Sequence, residues 1–137
     1  MLSWLKKLFG RMRSPSRGHL DHIRLGRLGE DFACDYLKSK NFAIIERNYR
    51  CSFGELDIIA REGDTIVFVE VKTQYSHVNI RAERKVDARK QKKLKRLAER
   101  YSREKLPLSS QRRIDVIIVY IKADNTLGHV VHYRRAI

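Results

Sequence analysis

Cysteine is nearly absent from this sequence. Its two cysteines in 137 residues, Cys34 and Cys51, show neither CxxC spacing nor a disulfide framework. That excludes a disulfide-stapled secreted scaffold, and both thiols read as small buried hydrophobes in a reducing cytoplasm. No apolar run reaches the length that crosses a bilayer. Internal repeats and phosphate-cradling glycine loops are missing too. Acidic charge is scarce: 16 Asp and Glu face 30 Lys and Arg, a formal net charge of +14. Such an excess points to a polyanionic partner, either nucleic acid or an anionic membrane surface. What is present suits one folded domain with a real core, at 42% hydrophobic residues.

Because acids are few, their positions carry information. Gly54 to Thr73, GELDIIAREGDTIVFVEVKT, reads as two strands joined by a tight turn at Glu62-Gly63-Asp64. The first strand is Glu55 to Ala60. The second, Thr65 to Lys72, is a β-branched run of the kind covered on both faces. Alternation places Phe68, Glu70 and Lys72 on one face and Val67, Val69 and Val71 on the other. Glu55, Asp57 and Ile59 form a set on the first strand. If the two polar sets share a side, Asp57 and Glu70 become neighbours, with Lys72 beside them. Two carboxylates forced together repel unless a cation lies between them. A hard divalent ion takes a few carboxylate oxygens plus waters and substrate phosphate, and Lys72 is then placed to orient or help deprotonate the attacking water. That outlines a metal-dependent phosphodiesterase site. An ordinary Glu70–Lys72 ion pair on a solvated strand is the plainer reading, but the surrounding run is too apolar for an edge strand.

Residues 1–20 form a separate basic arm. Leu2, Trp4, Leu5, Leu8, Phe9 and Met12 recur mostly at helical spacing among Lys6, Lys7, Arg11, Arg13 and Arg17. The arm reads as loosely ordered, against the alternative of an amphipathic helix on anionic lipid. A secretory signal matches poorly, because lysines interrupt its apolar part. Residues 21–137 form the folded domain. Ile23 to Lys40 has the pattern of an amphipathic helix, with Arg24, Arg27, Asp31, Asp35 and Lys38 on one arc. Gly26, Gly29 and Ala33 would let it approach a sheet closely. Glu30 falls off the polar arc and points toward the packed side, either as a capping accident or as a third acid of the site. Phe42 to Arg50 reads as a strand, and Gln74 to Ile80 as a loop beside the site. Arg81 to Lys105 reads as one long basic helix. Its Arg81, Arg84, Lys85, Arg89, Lys90, Lys92, Lys93 and Arg96 are candidate phosphate contacts. Gln91 on that helix and Glu55 are accessory candidates. Strands at Arg113 to Ile121 and Gly128 to Tyr133 complete the domain. Asp115 reads as structural, paired with a nearby arginine. The HxxH spacings at His19/His22 and His129/His132 do not converge on a metal.

The order helix, three strands, helix, two strands, with Asp57 thirteen residues before Glu70-Val71-Lys72, resembles the PD-(D/E)xK nucleases. More narrowly the chain is similar to the YraN family, small bacterial proteins predicted to be nucleases and related to archaeal Holliday junction resolvases. Gly26-Arg27-Leu28-Gly29-Glu30, Asn48-Tyr49-Arg50, Gly54-Glu55-Leu56-Asp57-Ile58-Ile59, Phe68-Val69-Glu70-Val71-Lys72, Lys90-Gln91-Lys92 and Arg113-Ile114-Asp115-Val116 carry the resemblance. Leu56 stands where the motif often has proline. The resemblance implies an α/β restriction-endonuclease-like fold, a mixed central β-sheet flanked by helices. It also implies Mg²⁺ or Mn²⁺ held by Asp57, Glu70, the Val71 carbonyl and Glu30, with Lys72 positioning the water and no small-molecule cofactor. Further, it implies a bacterial cytoplasmic endonuclease acting on DNA, branched or structured, with a homodimer needed for symmetric cutting. The rivals are a non-catalytic nucleic-acid-binding module and, behind it, a peripheral membrane protein anchored through Trp4, Leu5, Leu8 and Phe9.

Overall fold

A computed structural model of the chain describes residues 18–76 and 87–137, with side chains from residue 21 onward. The expectations for residues 1–17, and for Arg81, Arg84 and Lys85, lie outside them. The element order is α1 (Gly18–Ser39), β1 (Ala43–Cys51), β2 (Gly54–Glu62), β3 (Thr65–Tyr75), α2 (Ala88–Lys105), β4 (Gln111–Ile121) and β5 (Leu127–Tyr133). The strands form one sheet in the order β1-β2-β3-β4-β5, parallel between β3 and β4 and antiparallel elsewhere. α2 is the crossover that a parallel pair requires.

Several expected elements have other bounds, and α1 begins at Gly18, within the expected arm, instead of at Ile23. The basic helix begins at Ala88, not Arg81. Asp87 has the extended ψ of 130° and caps the helix, its side chain accepting the Arg89 N–H at 2.8 Å. Gln74 and Tyr75 belong to β3 rather than to a loop, because β4 continues to pair with them up to Tyr75–Ile121.

Helices cover both faces of the sheet. On one face Leu25, Ala33, Cys34 and Leu37 of α1 pack on Ile58, Val67, Val69, Ile117 and Val119. On the other, Leu94, Leu97 and Tyr101 of α2 pack on Leu56, Ile59, Phe68 and Ile114. Sandwiched between them, β3 is buried from Ile66 through Gln74, as its β-branched run demands. α1 comes closest at Gly29, where an added Cβ would stand 1.8 Å from Thr73 Oγ1. Gly26 has nothing within 4 Å of such a Cβ, so only Gly29 serves the close approach.

A polar network anchors the α1 face at β4 and β5. Asp115 is fully buried and accepts hydrogen bonds from Arg113 Nε at 2.9 Å and the Arg135 N–H at 2.8 Å. His132 Nε2 lies 2.8 Å from the second Asp115 oxygen, while its Nδ1 lies 3.3 Å from the Tyr36 hydroxyl. The expected Asp115–arginine pairing is present. His129 instead stacks on Tyr120, on the opposite face of β5 from His132.

Candidate active site

The site forms where β2 parts from β3. Their ladder runs from Glu62–Thr65 to Ile58–Val69 and stops there, while β1 and β2 stay paired out to Cys51–Gly54. The cause is visible in β1 and β2. Asn48 has a positive φ of 54°, a conformation asparagine tolerates better than most residues. Opposite it the alternation of β2 breaks: Ile59 and Leu56, three apart, both face α2, while Ile58 faces α1. Asp57 sits at this break. Its Oδ2 accepts the Val71 N–H at 2.8 Å, doing what a strand partner's carbonyl would do. In an extended strand the N–H and C=O of one residue point to the same side, so the Val71 carbonyl also faces Asp57.

Asp57 and Glu70 are neighbours, as alternation predicts, although the strands diverge at this point instead of continuing to pair. Glu70 is 5% exposed. Its Oε1 takes Lys72 Nζ at 2.9 Å and Lys90 Nζ at 3.2 Å. Burial alone would raise the Glu70 carboxyl, but the two ammonium groups outweigh it and hold its pKa below the ordinary value. Asp57 is pushed the other way. Burial first, then the Glu70 charge, and more weakly Glu30, raise its pKa well above the usual range against the Val71 N–H and Lys72. One buried carboxylate is thus satisfied and the other strongly disfavoured as an anion.

A cleft of about 580 Å³ opens over this pair. Arg50, Cys51, Gly54, Glu55, Lys72 and Lys93 line it together with Asp57, Glu70, Val71 and Lys90. Gly54 has a φ of +156°, a conformation that L side chains rarely adopt, so the turn from β1 into β2 calls for glycine there. Glu55 is exposed and pairs with Arg50 at 3.0 Å. Cys51, expected to be buried, is half-exposed and lines the cleft.

The structure redistributes several expected roles. Lys90 is not a surface phosphate contact, because it is 8% exposed and spent on Glu70. Its position was readable in outline: with Leu94, Leu97, Ala98 and Tyr101 it falls on the buried stripe of α2, where an unpaired lysine would be costly. Gln91 does not line the cleft. Glu30 stands close enough to raise the Asp57 pKa but is outside the lining; its Oε2 lies 3.8 Å from Arg47 Nη2, and burial raises its own pKa. Arg89, Lys92, Lys93, Lys95 and Arg96 are exposed along α2. Lys93, expected as a phosphate contact, lines the cleft, whereas the places of Arg50 and Cys51 in that lining were not expected, since nothing in their local pattern marks them.

The residues fit a divalent cation of the magnesium type. A cation beside Asp57 would offset the repulsion that disfavours its charge. Among the described residues no group of three or more His, Cys, Asp and Glu is placed to hold a metal ion. Any ion would therefore take two carboxylates and the Val71 carbonyl, and draw its remaining oxygens from water and substrate, as Mg²⁺ commonly does.

A mixed five-stranded sheet with a helix on each face and acids at the parting of β2 and β3 defines an α/β protein of the restriction-endonuclease-like class. Residues 29–119 match the model of uncharacterised protein family UPF0102. The chain belongs to this family, which is the YraN family. A UPF0102 protein of Geotalea uraniireducens is 39% identical over 125 residues, covering 91% of this chain and 96% of the relative. UPF0102 proteins of Syntrophus aciditrophicus (43% identical, 75% of this chain, 81% of the relative) and Dictyoglomus turgidum (39%, 74% and 86%) are similar. None of the described helices is long and apolar enough to cross a membrane.

Proposed function

We propose that this protein is a metal-dependent endonuclease that hydrolyses phosphodiester bonds in DNA, branched or otherwise structured. One observation carries the reading: Asp57, disfavoured as an anion, stands against a buried Glu70 in a cleft that opens beside a basic helix. Strongly perturbed neighbouring acids in a cleft are a mark of a functional site.

Asp57, Glu70 and the Val71 carbonyl would hold Mg²⁺ or Mn²⁺, with Glu30 close behind. A cation there supplies charge stabilisation at the phosphoryl oxygens and a more acidic water. Lys72, fixed on Glu70 Oε1, orients the attacking water and faces the charge that develops on the phosphate. Lys90 is a positioning residue, holding the Glu70 carboxylate from the side of α2. The exposed Arg89, Lys92, Lys93 and Arg96 engage phosphates flanking the cut, fixing register without reading sequence. Cutting two strands symmetrically would require two copies of the chain.

A second reading, a non-catalytic nucleic-acid-binding module, is favoured by one observation. Glu70 already has two ammonium partners, so its charge is balanced without a metal. Incubating a labelled four-way junction, flap, duplex and single strand with Mg²⁺ or Mn²⁺ separates the two. Cutting that Asp57→Ala and Lys72→Ala each abolish establishes the nuclease. Binding without cutting on any substrate, with affinity kept or increased in Asp57→Ala, establishes the module.

A further inference from the structure

The site face of the sheet continues past Lys72 into a row that the proposed chemistry does not use. Gln74 of β3 stands opposite Tyr120 of β4, and Tyr120 opposite His129 of β5. Gln74 is two residues beyond Lys72 on the same face, about 7 Å along the strand. Three features show that this row is built rather than incidental.

The first is Gln74 itself. It is 9% exposed, and its Nε2 has no hydrogen-bond partner among the described residues. Buried amide donors are nearly always satisfied; this one makes no full hydrogen bond, although the Tyr120 hydroxyl is near enough for the Gln74 side chain to lower its pKa. The second is the ring pair. Tyr120 and His129 stack at a centroid separation of 4.2 Å and an interplanar angle of 8°, with His129 exposed. The third is the backbone beneath the rings. The β4–β5 register shifts between Tyr120 and Ile121, and bulges near sites re-aim side chains. Next to it a Cβ on Gly128 would meet the Tyr120 carbonyl oxygen at 2.9 Å, so glycine allows the approach that sets His129 on Tyr120.

This row has the chemistry of a base contact rather than a phosphate contact. Its members are an amide and two rings, while the lysines and arginines of the site lie toward α2. Nucleobases are recognised by stacking on aromatic rings and by hydrogen bonds to their edges. A paired base inside a duplex offers its stacking face to neither ring. Resting on the nuclease reading for its location, we propose that Gln74, Tyr120 and His129 form a subsite for one unpaired nucleobase of the strand whose phosphate enters the Asp57–Glu70 cleft. The base stacks on the Tyr120–His129 pair, and the Gln74 side chain turns to bring its Nε2, covered in the free protein, to an acceptor on the base edge. The substrate class is then nucleic acid with an unpaired nucleotide beside the cut, as at a branch, flap or tail.

The test is equilibrium binding in EDTA, so that no strand is cut and the outcome does not depend on catalysis. The probes are a duplex with an unpaired tail carrying 2-aminopurine and the same duplex fully paired, with the tail made as DNA or as RNA. Wild type, His129→Ala and Gln74→Leu are compared by anisotropy and by 2-aminopurine quenching. His129 is exposed, and Gln74 gives up at most its weak contact with the Tyr120 hydroxyl, so both variants should melt close to wild type. The subsite predicts that each weakens the tailed probe about 5- to 100-fold, the range for losing one stacked base, and relieves quenching, with the paired probe unchanged. The DNA and RNA tails decide which backbone is preferred. Unchanged affinity for the tailed probes, or equal weakening on tailed and paired probes, overturns the subsite. Binding of this kind by a protein that cuts nothing would overturn the nuclease reading and leave the subsite standing. Failure of wild type to bind any probe would overturn both.

Discussion

Two adjacent carboxylates should respond with opposite signs when each is neutralised. Glu70 is the counter-ion of two buried ammonium groups, Lys72 and Lys90, at 2.9 and 3.2 Å. Glu70→Gln keeps the shape and removes the charge, stranding both lysines. Breaking a buried pair typically costs about 3–5 kcal/mol. The lower end applies, because Asp57 can ionise and take up part of the lysine charge. With about 3 kcal/mol lost, and about 3–6 °C per kcal/mol for a domain of this size, the melting temperature should fall by about 9–18 °C. Asp57→Asn removes a charge that burial and Glu70 both disfavour, and keeps an oxygen for the Val71 N–H. It should raise stability by about 0.5–2 kcal/mol. The pH dependence fixes the sign of each. The folded pKa of Glu70 is depressed, so its contribution is present above the usual carboxylate range and disappears as pH falls through the folded value. The folded pKa of Asp57 is raised, so ionising it costs stability as pH climbs through that value, and the Asn gain should be largest in alkali. Urea unfolding in EDTA across the pH range measures both. Equal and same-sign effects of the two substitutions would refute the assignment of Glu70 as the satisfied acid and Asp57 as the strained one.

Gly29→Ala should cost about 1–3 kcal/mol by driving a methyl into Thr73, whereas Gly26→Ala, with open space around it, should gain about 0.5–1 kcal/mol; thermal melts of the two decide it. Lys92→Ala, at an exposed position on α2, should weaken binding to duplex and branched DNA alike and reduce the slope of log affinity against log salt by about one. Asp115→Asn should destabilise the protein by about 3–5 kcal/mol near neutrality, because it breaks the bonds from Arg113 and His132 at a fully buried position. Burial raises the Asp115 carboxyl, but His132, Arg113 and the Arg135 N–H together hold it below its ordinary pKa. Its contribution is therefore lost as pH falls through that depressed value, and the variant and wild-type unfolding curves should converge in strong acid.

The hairpin was legible because β-strand alternation is local. Once Thr65 to Lys72 reads as a strand, Glu70 and Lys72 must share a face, and the two-residue turn at Gly63-Asp64 fixes which residues of β2 come opposite. Lys90 was less legible as a site residue, because a lysine in a basic helix reads as solvated until the sheet it docks against is known. The register of Gln74 with Tyr120 and His129 could not be read, since β3, β4 and β5 meet only through a crossover helix and a later hairpin. Helix starts were misplaced where charge patterns continue across a boundary. Arg81 to Lys105 looks uniform in composition, yet the extended backbone at Asp87 divides it.

Placing the acids where β2 leaves β3 solves a problem that a continuous sheet would not. A carboxylate within a fully paired ladder faces a neighbour's side chain and no open space. Where the ladder stops at Ile58–Val69, the β2-side edge of β3 is exposed to a cleft, and its Val71 N–H binds Asp57 instead of a strand. One backbone amide thereby holds the carboxylate, and the carbonyl of the same residue is left facing the same space. α1 brings Glu30 to one side through the contact at Gly29, and α2 brings Lys90 to the other. The strand that carries Glu70 and Lys72 is meanwhile the most deeply buried in the sheet. Glu70 and Lys72 therefore rest on the most deeply buried strand of the sheet, while the cleft opens where its neighbour β2 turns away.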